Sequence, residues 1–560
     1  MSERPSPTRA RRAADFVSGI LPSRADYASA RRTWRRDLLA GLTVGIVALP
    51  LALGFGVSSG VSAEAGLVTA IVAGVIAAVF GGSHVQISGP TGAMVVVLLP
   101  IVAQHGVGSV ATVALLAGVL VLAAGLLGLG RAVSFIPWPV IEGFTLGIAV
   151  IIFLQQVPLL TSGTTASATD HSSNAVIAAI QAIAGADPVY LLWAVAAVAV
   201  VAACMVFAPR LHPAVPGSLI GIAIVTVLSL LVANPLARIG ALPGTLPVPA
   251  LPELDPAVLP SLLAPAVTVA ALAAIESLLS ARVASSMADT GAYNPDRELV
   301  GQGLASLGAS LFGGLPATGA IARTAVNVRS GGRTRISGIF HAVVLLLVVL
   351  VASGPVGAIP LAALAGVLMV TAVRMVQAGT VRAILHSTRA DAVAFVLTAV
   401  ITVSFDLIVA VVIGVVFAGV FAIRSLSRAS GVHREPLAGD PQPGDERIAV
   451  IRFDGPLFFA AADRVFDEVS AVQGVSVVIL RMSQLELVDA TGARILGDIV
   501  QALERRGVTV LLKGIQPRHT DLFRTVGVLG SLRHHNHLFT ELPPAVEHAR
   551  SHVRRESAGA

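Results

Sequence analysis

The strongest constraint on this chain is a succession of nearly uncharged apolar runs between residues 38 and 423. An apolar run of about 18 residues or more can cross a bilayer as a helix. Hydrophobic residues make up 55% of the chain and charged residues 12%, more apolar surface than a soluble protein could bury. The pattern predicts a polytopic α-helical membrane protein, with the lipid bilayer as its surroundings.

We predict fourteen spans, seven on each side of a proline-rich junction at residues 234–260. An odd number of spans per half inverts the second repeat relative to the first, and an even total returns both termini to one side. Pro50 lies inside the first span and predicts a bent or broken helix. The predicted ranges are 38–57, 66–80, 87–103, 107–129, 137–154, 190–207 and 218–232, then 265–284, 298–312, 319–328, 337–351, 360–373, 390–403 and 407–423.

Two of these spans contain residues that do not suit a helix interior. Residues 80–93 and 312–320 both begin with Phe-Gly-Gly and both reach Thr-Gly-Ala after a proline. We interpret each as an extended entry followed by a half-helix that starts near the middle of the membrane. Because the free amides at a helix start form a positive end, two such ends aimed at one point would bind a small anion.

The ends of the chain differ from its apolar middle. Residues 1–36 hold nine arginines and three acidic residues, which accounts for the formal net charge of +6. Basic residues beside a first span predict a cytoplasmic flank, and therefore cytoplasmic N- and C-termini in the inner membrane. No aromatic platform or recognition module accompanies the arm, so a nucleic-acid partner is rejected. No phosphate-binding Gly-x-x-x-x-Gly-Lys-Ser/Thr loop occurs, and neither an enzyme nor a cofactor is expected.

From residue 431 the composition becomes that of a soluble domain. Residues 448–453 alternate like a half-buried strand, 475–480 and 508–512 read as buried strands, and 493–505 has helical spacing. This order predicts a small α/β domain. We divide the chain into a basic arm (1–36), a transport domain (37–430, with repeats at 37–233 and 261–424), a linker (431–445), the α/β domain (446–546) and a tail (547–560).

Together these motifs resemble the SulP anion transporter family, and the α/β domain resembles a STAS domain. The transporter motifs are residues 48–56, 81–93, 276–280 and 313–335, and the STAS motifs are 477–483 and 488–492. The resemblance implies a seven-plus-seven inverted repeat, a core that moves against a gate, and a homodimer. Ala490 stands where anti-sigma-factor antagonists carry a phosphorylated serine, so the domain is expected to serve regulation or assembly, with a cytoplasmic regulator as an open alternative.

The resemblance also identifies site residues. Glu276 has no basic neighbour within a helical turn, and Ser280 lies on the same helix face; both are predicted to bind the coupling ion. Bicarbonate-transporting relatives place aspartate and threonine there, so H⁺ is favoured and Na⁺ at these two residues is the alternative. Arg323 is interpreted either as a source of positive field or as a salt-bridge partner of Glu276. The predicted anion-binding residues are Phe55, Thr91, Gly92, Thr318, Gly319, Ala320, Ile321, Ala322 and Arg323.

The predicted function is secondary active transport of a small inorganic anion, bicarbonate or sulfate, by alternating access with ion coupling. A proton-coupled C4-dicarboxylate symporter is the first alternative. An anion-sensing regulatory scaffold that signals through the STAS-like domain and an anion channel are the others.

Overall fold

The computed structural model describes residues 19–131, 136–162, 174–211, 216–404, 407–437 and 440–558. The chain divides into two compact units, residues 1–415 and 416–560. Within the described residues the helices follow the order of the predicted spans. The first seven are α1 (Ala30–Ser58), α2 (Ala63–Phe80), α3 (Gly92–His105), α4 (Ser109–Leu126), α5 (Trp138–Gln155), α6 (Pro188–Leu211) and α7 (Gly217–Leu231).

The second set of seven has the same order of long and short helices. It consists of α8 (Leu259–Met287), α9 (Pro295–Leu311), α10 (Ile321–Arg329), α11 (Arg335–Gly357), α12 (Leu361–Met375), α13 (Arg389–Ser404) and α14 (Leu407–Ala429). Eight helices in the described ranges are long and apolar enough to cross a membrane. With 14 and 9 residues, α3 and α10 are half-helices. Short helices at Arg24–Tyr27, Val157–Thr161, Ala175–Ala184 and Ala378–Leu385 lie in the connections.

The helix contacts repeat between the two halves. Helix α1 packs on α11, and their counterparts α8 and α4 pack on each other; likewise α5 packs on α13 and α12 on α6. The counterparts α2 and α9 pack together. This exchange of partners is what a pseudo-twofold relation between repeats produces, and it agrees with the predicted inverted repeat.

Small residues allow close approach where these helices cross. A Cβ atom at Gly118 of α4 would lie 3.0 Å from the carbonyl oxygen of Gly303, and one at Gly303 of α9 would lie 2.5 Å from the amide nitrogen of Leu122. In a membrane, where hydrophobicity does not drive helix association, such backbone approach supplies the packing energy.

The first span was predicted to be bent or broken at Pro50, and the structure excludes the break. Helix α1 runs from Ala30 to Ser58 without interruption, with Pro50 inside it. The residues from Ala48 to Phe55 are all buried, so packing from neighbouring helices holds the helix through the proline.

A buried carboxylate fixes the loop between α10 and α11. Asp37 is fully buried and accepts hydrogen bonds from Thr33 Oγ1 (2.7 Å), the amides of Arg333 (2.7 Å) and Thr334 (3.0 Å), and Thr334 Oγ1 (2.7 Å). All four groups donate, so both oxygens of the Asp37 side chain must accept. Asparagine would replace one of these oxygens with an NH₂ group, which cannot accept the hydrogen bonds made there.

We therefore expect Asp37→Asn to lower the free energy of unfolding by about 1.5–3 kcal/mol, the usual worth of hydrogen bonds to a charged group. The measurement is a thermal melt of the detergent-purified protein. Asp391→Asn is the control, because Asp391 is only partly buried and, among the described residues, its carboxylate accepts only from Thr388 Oγ1, three residues away. Equal melting temperatures for the two variants would contradict the assignment.

Two short strands lie in the first unit, β1 (Ser88–Gly89) and β2 (Thr318–Gly319). The second unit consists of β3 (Gly431–Glu435), β4 (Ile448–Leu457), α15 (Ala462–Ser470), β5 (Val477–Val488), α16 (Ala490–Arg505), β6 (Thr509–Lys513), α17 (Pro517–Val526), β7 (Leu538–Phe539) and α18 (Leu542–Ala558). Its strands form one sheet of order β3-β4-β5-β6-β7, in which β3 and β4 pair antiparallel and the other neighbours pair parallel.

Two predicted boundaries of this unit differ from the structure. The predicted linker 431–445 contains β3, whose Glu435 accepts hydrogen bonds from Arg452 (2.8 Å) and Arg481 (2.7 Å) of the next two strands. The predicted tail 547–560 lies largely in α18. Ala545, Ala549 and Val553 recur every fourth residue on this helix and are buried against the sheet, which explains why the helix continues.

Candidate anion-binding site

The two interrupted spans meet inside the first unit. β1 (Ser88–Gly89) pairs antiparallel with β2 (Thr318–Gly319), so that Ser88 faces Gly319 and Gly89 faces Thr318. Helix α3 starts three residues after β1, and α10 starts two residues after β2. The extended entries and half-helices that the sequence predicted are therefore confirmed, and both helices begin beside one short two-stranded ladder.

The first amides of a helix have no acceptor within the helix, and here two sets of them start close together. The amides of Gly319 and Ala320 are already used: they donate to Ser277 Oγ (3.0 Å) and to the Ile87 carbonyl (2.8 Å). These two amides were predicted to bind the anion, but in the structure they hold the end of β2 and the start of α10 in place. No acceptor for the amides of Ile321, Ala322 and Arg323 is found in the part of the chain that the structure describes, as expected at the start of a helix.

Glu276 of α8 joins the two half-helices. Its Oε2 accepts hydrogen bonds from Thr91 Oγ1 (2.8 Å), just before α3, and from Thr318 Oγ1 (2.9 Å), in β2. The two hydroxyl oxygens are 3.3 Å apart. One carboxylate therefore bonds to a residue from each repeat, and a change in its protonation would act on both half-helices.

Arg323 lies in the first turn of α10 and is almost fully buried. Its Nη2 donates to the Pro90 carbonyl (2.5 Å), and its Nη1 has no hydrogen-bond partner in the part of the chain that the structure describes. Because Glu276 bonds to two threonines and Arg323 to Pro90, the salt bridge between them that was one interpretation is not formed among the described residues. A cation with an unused donor lies beside the helix starts.

Gly89 makes room for this arginine. A Cβ atom there would come within 2.8 Å of Arg323 Nη1, and its φ of +152° lies in the region that favours glycine. The backbone conformation favours glycine at this position, and the lack of a side chain leaves room for the guanidinium of Arg323.

A cavity of about 1040 Å³ opens onto these groups. Its lining includes eight of the predicted site residues, and it does not include Thr318, Gly319 or Ser280. Ser280 is fully buried, with its Oγ 3.4 Å from Thr324 Oγ1, and it does not line this cavity. The eight are Phe55, Thr91, Gly92, Glu276, Ala320, Ile321, Ala322 and Arg323.

Sequence reasoning missed two basic residues of the cavity wall, Arg282 and Arg374. Arg282 lies on the same helix as Glu276, and Arg374 lies in the last turn of α12. Each arginine lies near the end of an otherwise apolar span, which could have marked it as a cavity residue. Arginines at such positions are also common at the membrane interface, so the pattern did not distinguish the two roles.

We expect Thr318→Val to slow gradient-driven uptake by about tenfold, because valine keeps the shape but removes one of the two donors to Glu276. The measurement is the initial rate of anion uptake into liposomes. Thr371→Val is the matched control: Thr371 lines the cavity, and among the described residues its hydroxyl donates only to the Val367 carbonyl of its own helix. The assignment is contradicted if both variants slow uptake equally.

Comparison with known proteins places this site in a family. Residues 34–398 match the sulfate permease family, and residues 442–543 match the STAS domain. The chain belongs to the sulfate permease family. Its members are transporters, and the sulfate permease match covers both half-helices and Glu276.

Two relatives align with this chain over most of their own lengths. It is 35% identical to YvdB of Bacillus subtilis, described as a candidate sulfate transporter, over 90% of this chain and 97% of that protein. It is 33% identical to the bicarbonate transporter BicA of Synechocystis, over 86% and 88%. The murine Slc26a9 anion transporter structure superposes with a TM-score of 0.80 at 18% identity, over 98% of this chain and 96% of that one, which supports the fold.

Proposed function

We propose that this protein is a secondary active transporter that binds a small inorganic anion, bicarbonate or sulfate, between the starts of α3 and α10. The observation that carries the proposal is the meeting of the two half-helices at β1 and β2, with an unused Arg323 donor beside them. Amide ends and a guanidinium attract an anion regardless of its identity, which makes the site suitable for either substrate.

The choice of substrate is supported by the relatives. YvdB is described as a candidate sulfate transporter and BicA as a bicarbonate transporter, and both resemble this chain over most of its length. A cavity of about 1040 Å³ also has room for a C4-dicarboxylate, so that alternative is retained for the experiment. Alternating access would move the helices that carry the anion against the remaining helices.

We propose H⁺ as the coupling ion and Glu276 as its carrier. The carboxylate that would take the proton bonds to both repeats, so protonation would loosen Thr91 and Thr318 together. Sodium is less favoured, because Ser280 bonds towards Thr324 instead of facing the cavity with Glu276. No further cofactor is invoked.

The surroundings of the transporter complete the proposal. The basic arm, with its arginines beside α1, supports an inner-membrane location with both termini in the cytoplasm. We further propose a homodimer whose STAS-like domain serves assembly or binds a cytoplasmic regulator.

The decisive experiment is uptake into liposomes that contain the purified protein, with bicarbonate, sulfate and a C4-dicarboxylate each tested under imposed pH and Na⁺ gradients. Accumulation of one inorganic anion above equilibrium, driven by the pH gradient, is the expected result. Flux that never exceeds equilibrium would indicate a channel, and no flux of any of the three anions would favour the anion-sensing scaffold. Protein-free liposomes give the background.

A further inference from the structure

Three histidines face one another in the second unit, far along the chain from the transport site. His537 lies just before β7, and His548 and His552 lie one turn apart on α18. One imidazole nitrogen from each of the three residues lies within 4.8 Å of the other two. The His537 ring centroid is 5.6 Å from that of His548 and 5.5 Å from that of His552.

Packing alone leaves part of this cluster unexplained. His537 is 2% exposed, and its Nδ1 has no hydrogen-bond partner within the described residues. His548 Nε2 and His552 Nε2 are only 3.3 Å apart. Buried polar atoms in native proteins are nearly always satisfied, so a group of nitrogens that converge without enough donors requires a partner of another kind.

We propose that His537, His548 and His552 bind one first-row divalent metal ion, with Zn²⁺ as the ion that this donor set favours. Imidazole nitrogens bind Zn²⁺ at about 2.0–2.1 Å, which for tetrahedral ligands separates the nitrogens by about 3.3 Å. The pair on α18 already has this separation, and a ring nitrogen of His537 lies within 4.8 Å of a nitrogen of each of them. Two histidines four residues apart on one helix face are an established way to hold zinc.

The ion would connect α18 to the loop before β7. That helix covers one face of the sheet with Ala545, Ala549 and Val553, and the loop leads into the edge strand. With three protein nitrogens, a fourth position stays open to water or to a group from another molecule. The site would stabilise the STAS-like domain by an amount that grows with the logarithm of the free metal concentration once that concentration exceeds the Kd.

The test uses the full chain, purified in detergent and stripped with a chelator, then titrated with Zn²⁺ against a competing chromogenic chelator. We expect one Zn²⁺ per chain and, with Co²⁺ in its place, the visible absorption bands of a tetrahedral nitrogen site. His552→Gln and His537→Gln should each raise the Kd for Zn²⁺ about 10- to 100-fold. His433→Gln is the control, since His433 lies in the same unit with a side chain that is 60% exposed.

Binding well below one ion per chain, or equal affinity in the cluster variants and the control, would overturn the proposal and leave a hydrogen-bonded imidazole cluster. Zn²⁺ should also raise the melting temperature of the wild-type chain and of His433→Gln, with no such rise in either cluster variant. This second measurement keeps the test valid if a cluster variant is less stable without metal.

Discussion

Replacing Glu276 with glutamine is expected to abolish accumulation of the anion driven by a pH gradient while leaving anion exchange across the same liposomes measurable. Glutamine keeps the size of the side chain and an oxygen that can accept from Thr91 and Thr318. It cannot bind and release a proton, so the half-helices would keep their positions without any response to pH. The measurement compares uptake under a pH gradient with counterflow at equal pH.

Glu142→Gln is the matched control for this variant. Glu142 lines the same cavity, but its carboxylate accepts only from Trp138 Nε1 of its own helix, at 3.1 Å. Gradient-driven accumulation should persist in that protein. Normal accumulation in Glu276→Gln would remove the coupling role, and loss of counterflow as well would assign Glu276 to anion binding instead.

Replacing Arg323 with methionine is expected to raise the KM for the anion about 10- to 100-fold. A hydrogen bond from a charged donor is worth about 1.5–3 kcal/mol, and each 1.4 kcal/mol corresponds to a factor of ten. Methionine fills the volume next to Gly89 without supplying either charge or donor. The measurement is the concentration dependence of initial uptake rates.

Two further variants separate binding from packing. Arg323→Lys keeps the charge but not the planar donor pair, so its KM should lie between those of the wild type and Arg323→Met. Arg282→Gln removes a different arginine of the cavity wall, one whose side chain is exposed, and its KM should change little. A KM unaffected in Arg323→Met would show that the anion does not use this guanidinium.

Much of the fold could be predicted because its signals are local. Apolar runs of membrane-spanning length, and the glycines and prolines at residues 80–93 and 312–320, predict spans and half-helices from neighbouring residues alone. At Pro50 the local rule left a bend or a break open, and only the packing of neighbouring helices against α1 decided that the helix is continuous. In the second unit, the four-residue spacing of Ala545, Ala549 and Val553 indicates a helix with one buried face, and the predicted domain boundary at residue 546 cut through it.

For the candidate site, the sequence indicated which residues to consider but not most of the contacts that they make. Glu276, Arg323 and both threonines were predicted as site residues, and Glu276 does bond to both threonines. The use of the Gly319 amide by Ser277, and of the Ala320 amide by Ile87, could not be read from the sequence. The histidine cluster could not be predicted either, because the approach of His537 to His548 and His552 depends on how α18 packs.

The sequence by itself determined that this protein crosses the membrane many times and that two of its spans start partway across, since chain chemistry decides where a helix can form in lipid. Only the tertiary structure decided which donors remain free for an anion. Thr91 lies 185 residues from Glu276, and Pro90 lies 233 residues from Arg323. Hydrogen bonds between residues so far apart depend on how the two repeats pack together, and that packing has no local signature in the chain.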